Sequence, residues 1–69
     1  MIENVSSTAI DQIQYDHARA QLKITFKSGR TYVYEGVAPD TYENLMSADS
    51  QGGYFNRNIR DAYEFSEIR

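Results

Sequence analysis

LKITFKSGRTYVY, residues 22–34, is the stretch whose reading decides the fold. Leu22, Ile24 and Phe26 alternate with Lys23, Thr25 and Lys27, the period of a strand with one buried face. Tyr32 and Tyr34 alternate with Thr31, Val33 and Glu35 and read as the next strand. The turn between them, Lys27-Ser28-Gly29-Arg30, sets which face the tyrosines join. A two-residue Ser28-Gly29 loop pairs Phe26 with Thr31 and Ile24 with Val33, and sends Tyr32 and Tyr34 to the face opposite Leu22. A three-residue loop with Gly29 left-handed in a bulge pairs Ile24 with Tyr32 and Leu22 with Tyr34 instead. One residue of register exchanges the whole face. The bulged loop is favoured, because it gathers five large side chains and leaves Thr31 and Glu35 in water. Val33 would suit the other register, so core face or open sheet face stays open for the two tyrosines.

Upstream, Ile13 and Tyr15 alternate with Gln12 and Gln14 and form an earlier strand. If Tyr15 faces Leu22 and Ile13 faces Ile24, about four residues are left for the intervening turn, an ordinary hairpin length. Downstream of Gly36 the period becomes helical. Pro39 suits a first helical position, where its missing N–H costs nothing. Tyr42, Leu45 and Met46 follow at helical spacing, with Asp40 and Glu43 near the positive end of the helix dipole. This helix is expected to stop near Ala48, and Asp49 or Ser50 to cap a second one. Phe55, Ile59, Ala62 and Tyr63 fall at i, i+4, i+7 and i+8, a buried stripe. Phe65 and Ile68 extend the packing, and the last residues are expected to fray. The sequence predicts an α+β fold: a three-stranded antiparallel sheet followed by two helices packed on one face, β-β-β-α-α, in a single domain over residues 1–69.

A chain of 69 residues buries roughly 60% of its unfolded surface, so the core is thin. The absence of cysteine excludes disulfides and thiolate metal sites. Six tyrosines and three phenylalanines supply most of the large apolar surface. Tyrosine serves both a shallow core and a contact surface, having an apolar ring and a polar tip. Ten acidic and seven basic residues give a net charge of −3, which argues against broad binding to a polyanion but not against a local basic patch. The opening MIENVSSTAIDQ lacks the basic start and apolar run of a signal peptide, and no segment has the apolar length of a membrane span. A cytoplasmic protein without membrane contact is the expectation.

A catalytic site is hard to assemble. The single histidine, His17, falls in the first hairpin turn, where solvated surface is the usual role. With no cysteine and no carboxylate spacing that resembles a metal loop, neither a Cys/His dyad nor a calcium site can be built. A non-enzymatic protein with no cofactor and no metal is expected. Ser6 and Ser7 suit a turn ahead of the first strand. Lys23, Lys27 and Arg30 fall on the non-core side of one hairpin, and Arg57 and Arg60, three apart, share a face of the second helix. Nucleic-acid readers combine such charges with aromatics that stack on bases, and Tyr54, one residue off the buried stripe, is the candidate here. The bland alternative is that Asp61 and Glu64 pair with the arginines at the surface. Gly52 and Gly53 could free backbone N–H groups for an anion. The chain has neither GxxxxGK nor GxGxxG, however, so a turn between two helices is the simpler role.

In this order, Val5-Ser6-Ser7, LKITFKSGRTYVY, Gly36-Val37-Ala38-Pro39 and ADSQGGYFNRNIR (residues 48–60) resemble the KTSC domain family, named for the C-terminus of some lysyl-tRNA synthetases. The similarity covers nearly the whole chain. Members are mostly small stand-alone proteins of bacteria and their phages, and the synthetase context implies a link to RNA. On that resemblance Tyr32, Tyr34, Ser50, Gly53, Phe55, Asn56 and Arg60 match recurrent positions. Two functional expectations follow. One is a module that binds RNA or a nucleotide at the second-helix start, with Asn56, Arg57 and Arg60 supplying polar contacts, Tyr54 stacking, and affinity falling steeply with salt. The other is a protein-interaction module, a homodimer or an accessory protein docking on a host factor, suggested by the thin core and the excess of tyrosine.

Overall fold

The computed structural model describes residues 9–68. The alternating segments form strands β1 (Ile10–Asp16), β2 (Gln21–Phe26) and β3 (Thr31–Tyr34); helices α1 (Pro39–Ser47) and α2 (Gln51–Asn58) follow, and a fourth strand, β4 (Phe65–Ile68), closes the described chain. The sheet is antiparallel throughout with order β1-β2-β3-β4.

The second hairpin adopts the bulged register. Leu22 pairs with Tyr34 and Ile24 with Tyr32. Gly29 sits at φ +96°, a left-handed conformation that costs glycine little. Its N–H donates to the Phe26 carbonyl at 2.9 Å, while the Phe26 N–H donates to Arg30 at 2.8 Å. Tyr32 and Tyr34 therefore lie on the core face, which settles the register in favour of the gathered side chains. In the first hairpin Tyr15 pairs with Leu22 and Ile13 with Ile24, as the alternation requires. Its turn is fixed by Asp16, whose Oδ1 accepts from the N–H groups of Ala18 (2.9 Å) and Arg19 (3.2 Å). The register shifts between Ile10 and Gln12, a bulge that returns Ile10 to the core.

One sheet face carries Ile13, Leu22, Ile24 and Tyr34, closed over by Val37, Leu45, Phe55 and Ile59. The seven aliphatics Ile10, Ile13, Leu22, Ile24, Val37, Leu45 and Ile59 are fully buried, each contributing ~1.5–3 kcal/mol relative to exposure. The connection into α1 is tied to the first hairpin: the Val37 N–H donates to Ala20 at 2.9 Å, and the Tyr15 hydroxyl donates to the Val37 carbonyl. α1 starts at Pro39 without a side-chain cap and ends at Ser47, with Ala48, the predicted stop, as its C-cap. Ser50, not Asp49, caps α2, its Oγ accepting from the Gly53 N–H at 3.1 Å.

Four expectations are corrected. The sheet has four strands, because the chain after α2 does not fray but returns along β3, pairing Tyr34 with Phe65 and Thr31 with Ile68. The Glu35 N–H extends this ladder to the Glu64 carbonyl at 2.9 Å. α2 stops at Asn58, so Arg60 and Asp61 occupy a turn and Arg57 and Arg60 share no helical face. Ala62 is exposed, while Tyr63 packs partly against the core and reaches Thr41 Oγ1 at 3.4 Å. Finally, Gly52 and Gly53 are not the turn between helices: both lie inside the first turn of α2, with no left-handed backbone. Ser6 and Ser7 fall outside the described residues.

Candidate binding cleft

Five aromatic side chains from four elements meet in a closed ring. Phe26, at the end of β2, touches Phe55 of α2 with centroids 5.5 Å apart and Tyr32 of β3 at 5.8 Å. Tyr32 touches Phe65 of β4 at 5.7 Å, Phe65 touches Tyr34 at 5.5 Å, and Tyr34 returns to Phe55 at 5.4 Å. Four of the five contacts are edge-to-face and the fifth is tilted, arrangements that the ring quadrupole favours. Phe55 and Tyr34 are anchored in the core, 4% and 3% exposed, whereas Phe65 is 55% exposed.

This ring lines a cleft of about 460 Å³ whose remaining walls are Asn56, Arg60 and Asp61. Its size lies within the range of small-molecule sites, roughly 300–1,000 Å³. Asn56 projects from α2 directly after the buried Phe55, and Arg60 and Asp61 come from the turn that ends the helix. The Arg60 N–H bonds to the Phe55 carbonyl at 2.9 Å, which fixes the start of that turn. The side chains of Asn56, Arg60 and Asp61 have no hydrogen bond or ion pair with any described residue, so their donors and acceptors face solvent and the cleft. The surface pairing of Asp61 and Glu64 with Arg57 and Arg60 is accordingly not formed.

Electrostatics at the cleft are mixed. Burial pushes the Tyr34 hydroxyl above its ordinary value of 10.0; Tyr32 and Asp61 add to the rise and Arg60 opposes it. Tyr34 therefore remains a protonated hydroxyl at neutral pH. The neighbouring Tyr32 hydroxyl, and then the Glu67 carboxylate across the sheet, raise the Arg30 guanidinium above its ordinary value.

Of the eight residues singled out in the sequence, Tyr32, Tyr34, Asn56 and Arg60 come together in this cleft. Ser50 and Gly53 do not: the cap hydrogen bond already uses the Gly53 N–H, which removes it as an anion donor. A Cβ on Gly53 would lie 3.0 Å from Ser50 Oγ and 3.1 Å from Arg57 Nη1, so glycine permits the close approach of both. Arg57 thus folds back over the first turn of α2, away from the cleft. Tyr54 packs partly against the core and is not a cleft wall. Sequence reasoning assigned Phe26 to the core, took Phe55 as core and as a recurrent family position, and passed over Asp61 and Phe65 as site residues. Two further depressions, of about 350 Å³ against α1 and about 390 Å³ beside Val33 and Ile68, each hold one aromatic residue. Among the described residues no group of three or more His, Asp or Glu is placed to hold a metal. No helix there is long and apolar enough to cross a membrane.

Comparison with known proteins bears on the whole of this arrangement. A protein of Tsukamurella paurometabola is 32% identical over 62 residues, spanning 90% of this chain and 92% of that one. A lysine–tRNA ligase of Nostoc punctiforme is 34% identical over 61 residues, which is 88% of this chain but 11% of the ligase. The crystal structure of a KTSC domain protein from Yersinia pestis matches with a TM-score of 0.92 and 36% identity, covering 100% of this chain and 97% of the other. The family model of the KTSC domain matches residues 6–63, from the segment before β1 to the turn after α2, and with these relatives it shows that the chain belongs to the KTSC domain family.

Proposed function

We propose that the protein is a non-enzymatic binding module that takes one base of a single-stranded RNA, or a free nucleotide, in the aromatic cleft. The observation that carries this reading is the closed ring of five aromatics beside one amide, one guanidinium and one carboxylate. A planar base finds apolar surface there and polar groups for its edge. Stacking on an aromatic side chain contributes ~1–3 kcal/mol per base. The similarity to part of a lysine–tRNA ligase supports an RNA context.

Charge separates this site from a general polyanion binder. Arg60 is the sole cation lining the cleft, and the chain carries −3 overall. One phosphate contact on a single strand gives a slope of about −0.7 in log K against log salt. The dependence is therefore shallow, in place of the steep one that two helical arginines would produce. The test is a fluorescence titration of a short single-stranded oligonucleotide at low salt. Saturable binding with a slope near that value is expected; no binding at millimolar protein retires the reading.

A second reading, self-association, rests on the edge strand β4, which exposes Phe65 (55%) and Ile68 (46%). Two copies pairing antiparallel along this edge would continue the sheet from one copy into the other. A strict monomer by light scattering at high concentration removes it.

A further inference from the structure

Asp61 is a group that a phosphate site does not need. It lies in the cleft wall next to Arg60, exposed and with no partner among the described residues. An ionised carboxylate only accepts hydrogen bonds, and it repels the phosphates of the ligand proposed above. Its presence in a nucleotide site is favourable only where the base supplies donors. Bases read in single strands are distinguished on their Watson–Crick and Hoogsteen edges. Guanine alone presents two adjacent donors, N1–H and the 2-amino group, matching the two oxygens of a carboxylate. Adenine and cytosine set one amino group beside a ring-nitrogen acceptor, and uracil sets one N–H between two carbonyls; each turns a lone pair toward the carboxylate. Arg60, the preceding residue, supplies the phosphate contact, so base recognition falls to Asp61.

We infer that Asp61 makes the cleft selective for guanine, with Arg60 kept for the phosphate and the aromatic ring holding the plane of the base. This inference rests on the nucleotide reading of the same cleft. A bidentate match of this kind discriminates by about five- to 150-fold in affinity, ~1–3 kcal/mol.

The experiment is a titration of the full chain with GMP, IMP, AMP, CMP and UMP, repeated on Asp61→Asn. Circular dichroism confirms that the exposed substitution leaves the fold intact. GMP is expected to bind about tenfold more tightly than AMP, CMP or UMP, and IMP, which lacks the 2-amino donor, falls between. Asp61→Asn is expected to lose most of the preference by weakening GMP without weakening AMP. Equal binding of all five by the unaltered protein overturns guanine selectivity and leaves the nucleotide reading standing. So does a guanine preference that survives in Asp61→Asn, since another group would then be its source. No binding of any nucleotide at millimolar concentration overturns both.

Discussion

Phe65→Ala separates the cleft from the core. Phe65 stands on β4 with 55% of its surface exposed, touching Tyr32 at 5.7 Å and Tyr34 at 5.5 Å. Full burial of a phenylalanine stabilises by ~1.5–3 kcal/mol, so roughly half of that, about 1 kcal/mol, is lost with the ring. The two aromatic pairs add a further ~0.5–1 kcal/mol at a half-exposed site. A loss of about 1–2 kcal/mol lowers the melting temperature of a domain this small by ~5–15 °C without abolishing cooperative unfolding. By contrast Phe55, 4% exposed, would cost ~3–5 kcal/mol on truncation and confuse binding with folding. In the cleft, Phe65 is the most open of the five rings, and losing its stacking is expected to weaken nucleotide binding by ~1–3 kcal/mol, about five- to 150-fold. Urea denaturation and nucleotide titration on one preparation read both quantities. A variant that unfolds cooperatively and binds as tightly as the parent would show that the aromatic cleft is not the binding site.

Further predictions concern the elements that support the cleft. Ser50→Ala removes the acceptor for the Gly53 N–H and is expected to cost ~1 kcal/mol in urea denaturation. Gly29→Ala forces a side chain to φ +96° in open space, so the loss of ~1–2 kcal/mol expected from the same measurement reports backbone strain and not a clash. Tyr15→Phe leaves the buried Val37 carbonyl without its hydroxyl donor and is expected to cost ~1–3 kcal/mol. Tyr15 and Tyr34 are both raised above 10.0 in the fold, chiefly by burial. The unfolded chain then ionises first, so their contribution is intact below pH 10 and is lost as pH rises from there through the folded values. Urea midpoints measured across that interval should fall, and should fall less in Tyr15→Phe; a midpoint that rises above pH 10 would contradict the sign.

Side-chain pattern made β1, β2, β3 and α1 legible, because each has its apolar residues at the period of its own backbone. The bulged register was readable from Leu22, Ile24, Tyr32 and Tyr34 together with one glycine at the needed position. β4 offered no such sign. Phe65 and Ile68 are spaced by three, which looks helical, and all four residues of the strand are exposed. Main-chain hydrogen bonds to β3 and the contacts of a single ring hold it, and neither leaves a two-residue period. The end of α2 was hidden in the same way. Phe55, Ile59, Ala62 and Tyr63 keep a helical spacing past Asn58, with no glycine or proline to mark the stop. The chain leaves the helix through paired bonds from the Ile59 and Arg60 N–H groups to one carbonyl, that of Phe55.

These two illegible features are the ones that make the cleft. Had α2 continued, Arg60 would lie with Arg57 on a solvent face and Asp61 would point elsewhere around the helix. Because the helix stops at Asn58, the two charges line the same cleft as Tyr34. Had the chain frayed after the turn, Tyr32 and Tyr34 would lack a neighbour on the open edge of β3; β4 brings Phe65 opposite Tyr34 and completes the ring. Five of the seven residues that match the family's recurrent positions, Tyr32, Tyr34, Phe55, Asn56 and Arg60, thus acquire a common location only through backbone events that carry no side-chain period. A substitution that breaks β4 pairing without touching an aromatic, such as Ser66→Pro, isolates this dependence. Proline removes the strand's N–H at a position facing Val33. Binding should fall together with protection of the Glu35 amide, whose partner is Glu64 at the start of the same ladder. Binding that persists while that amide exchanges freely would mean the ring of five is not the unit that holds the ligand.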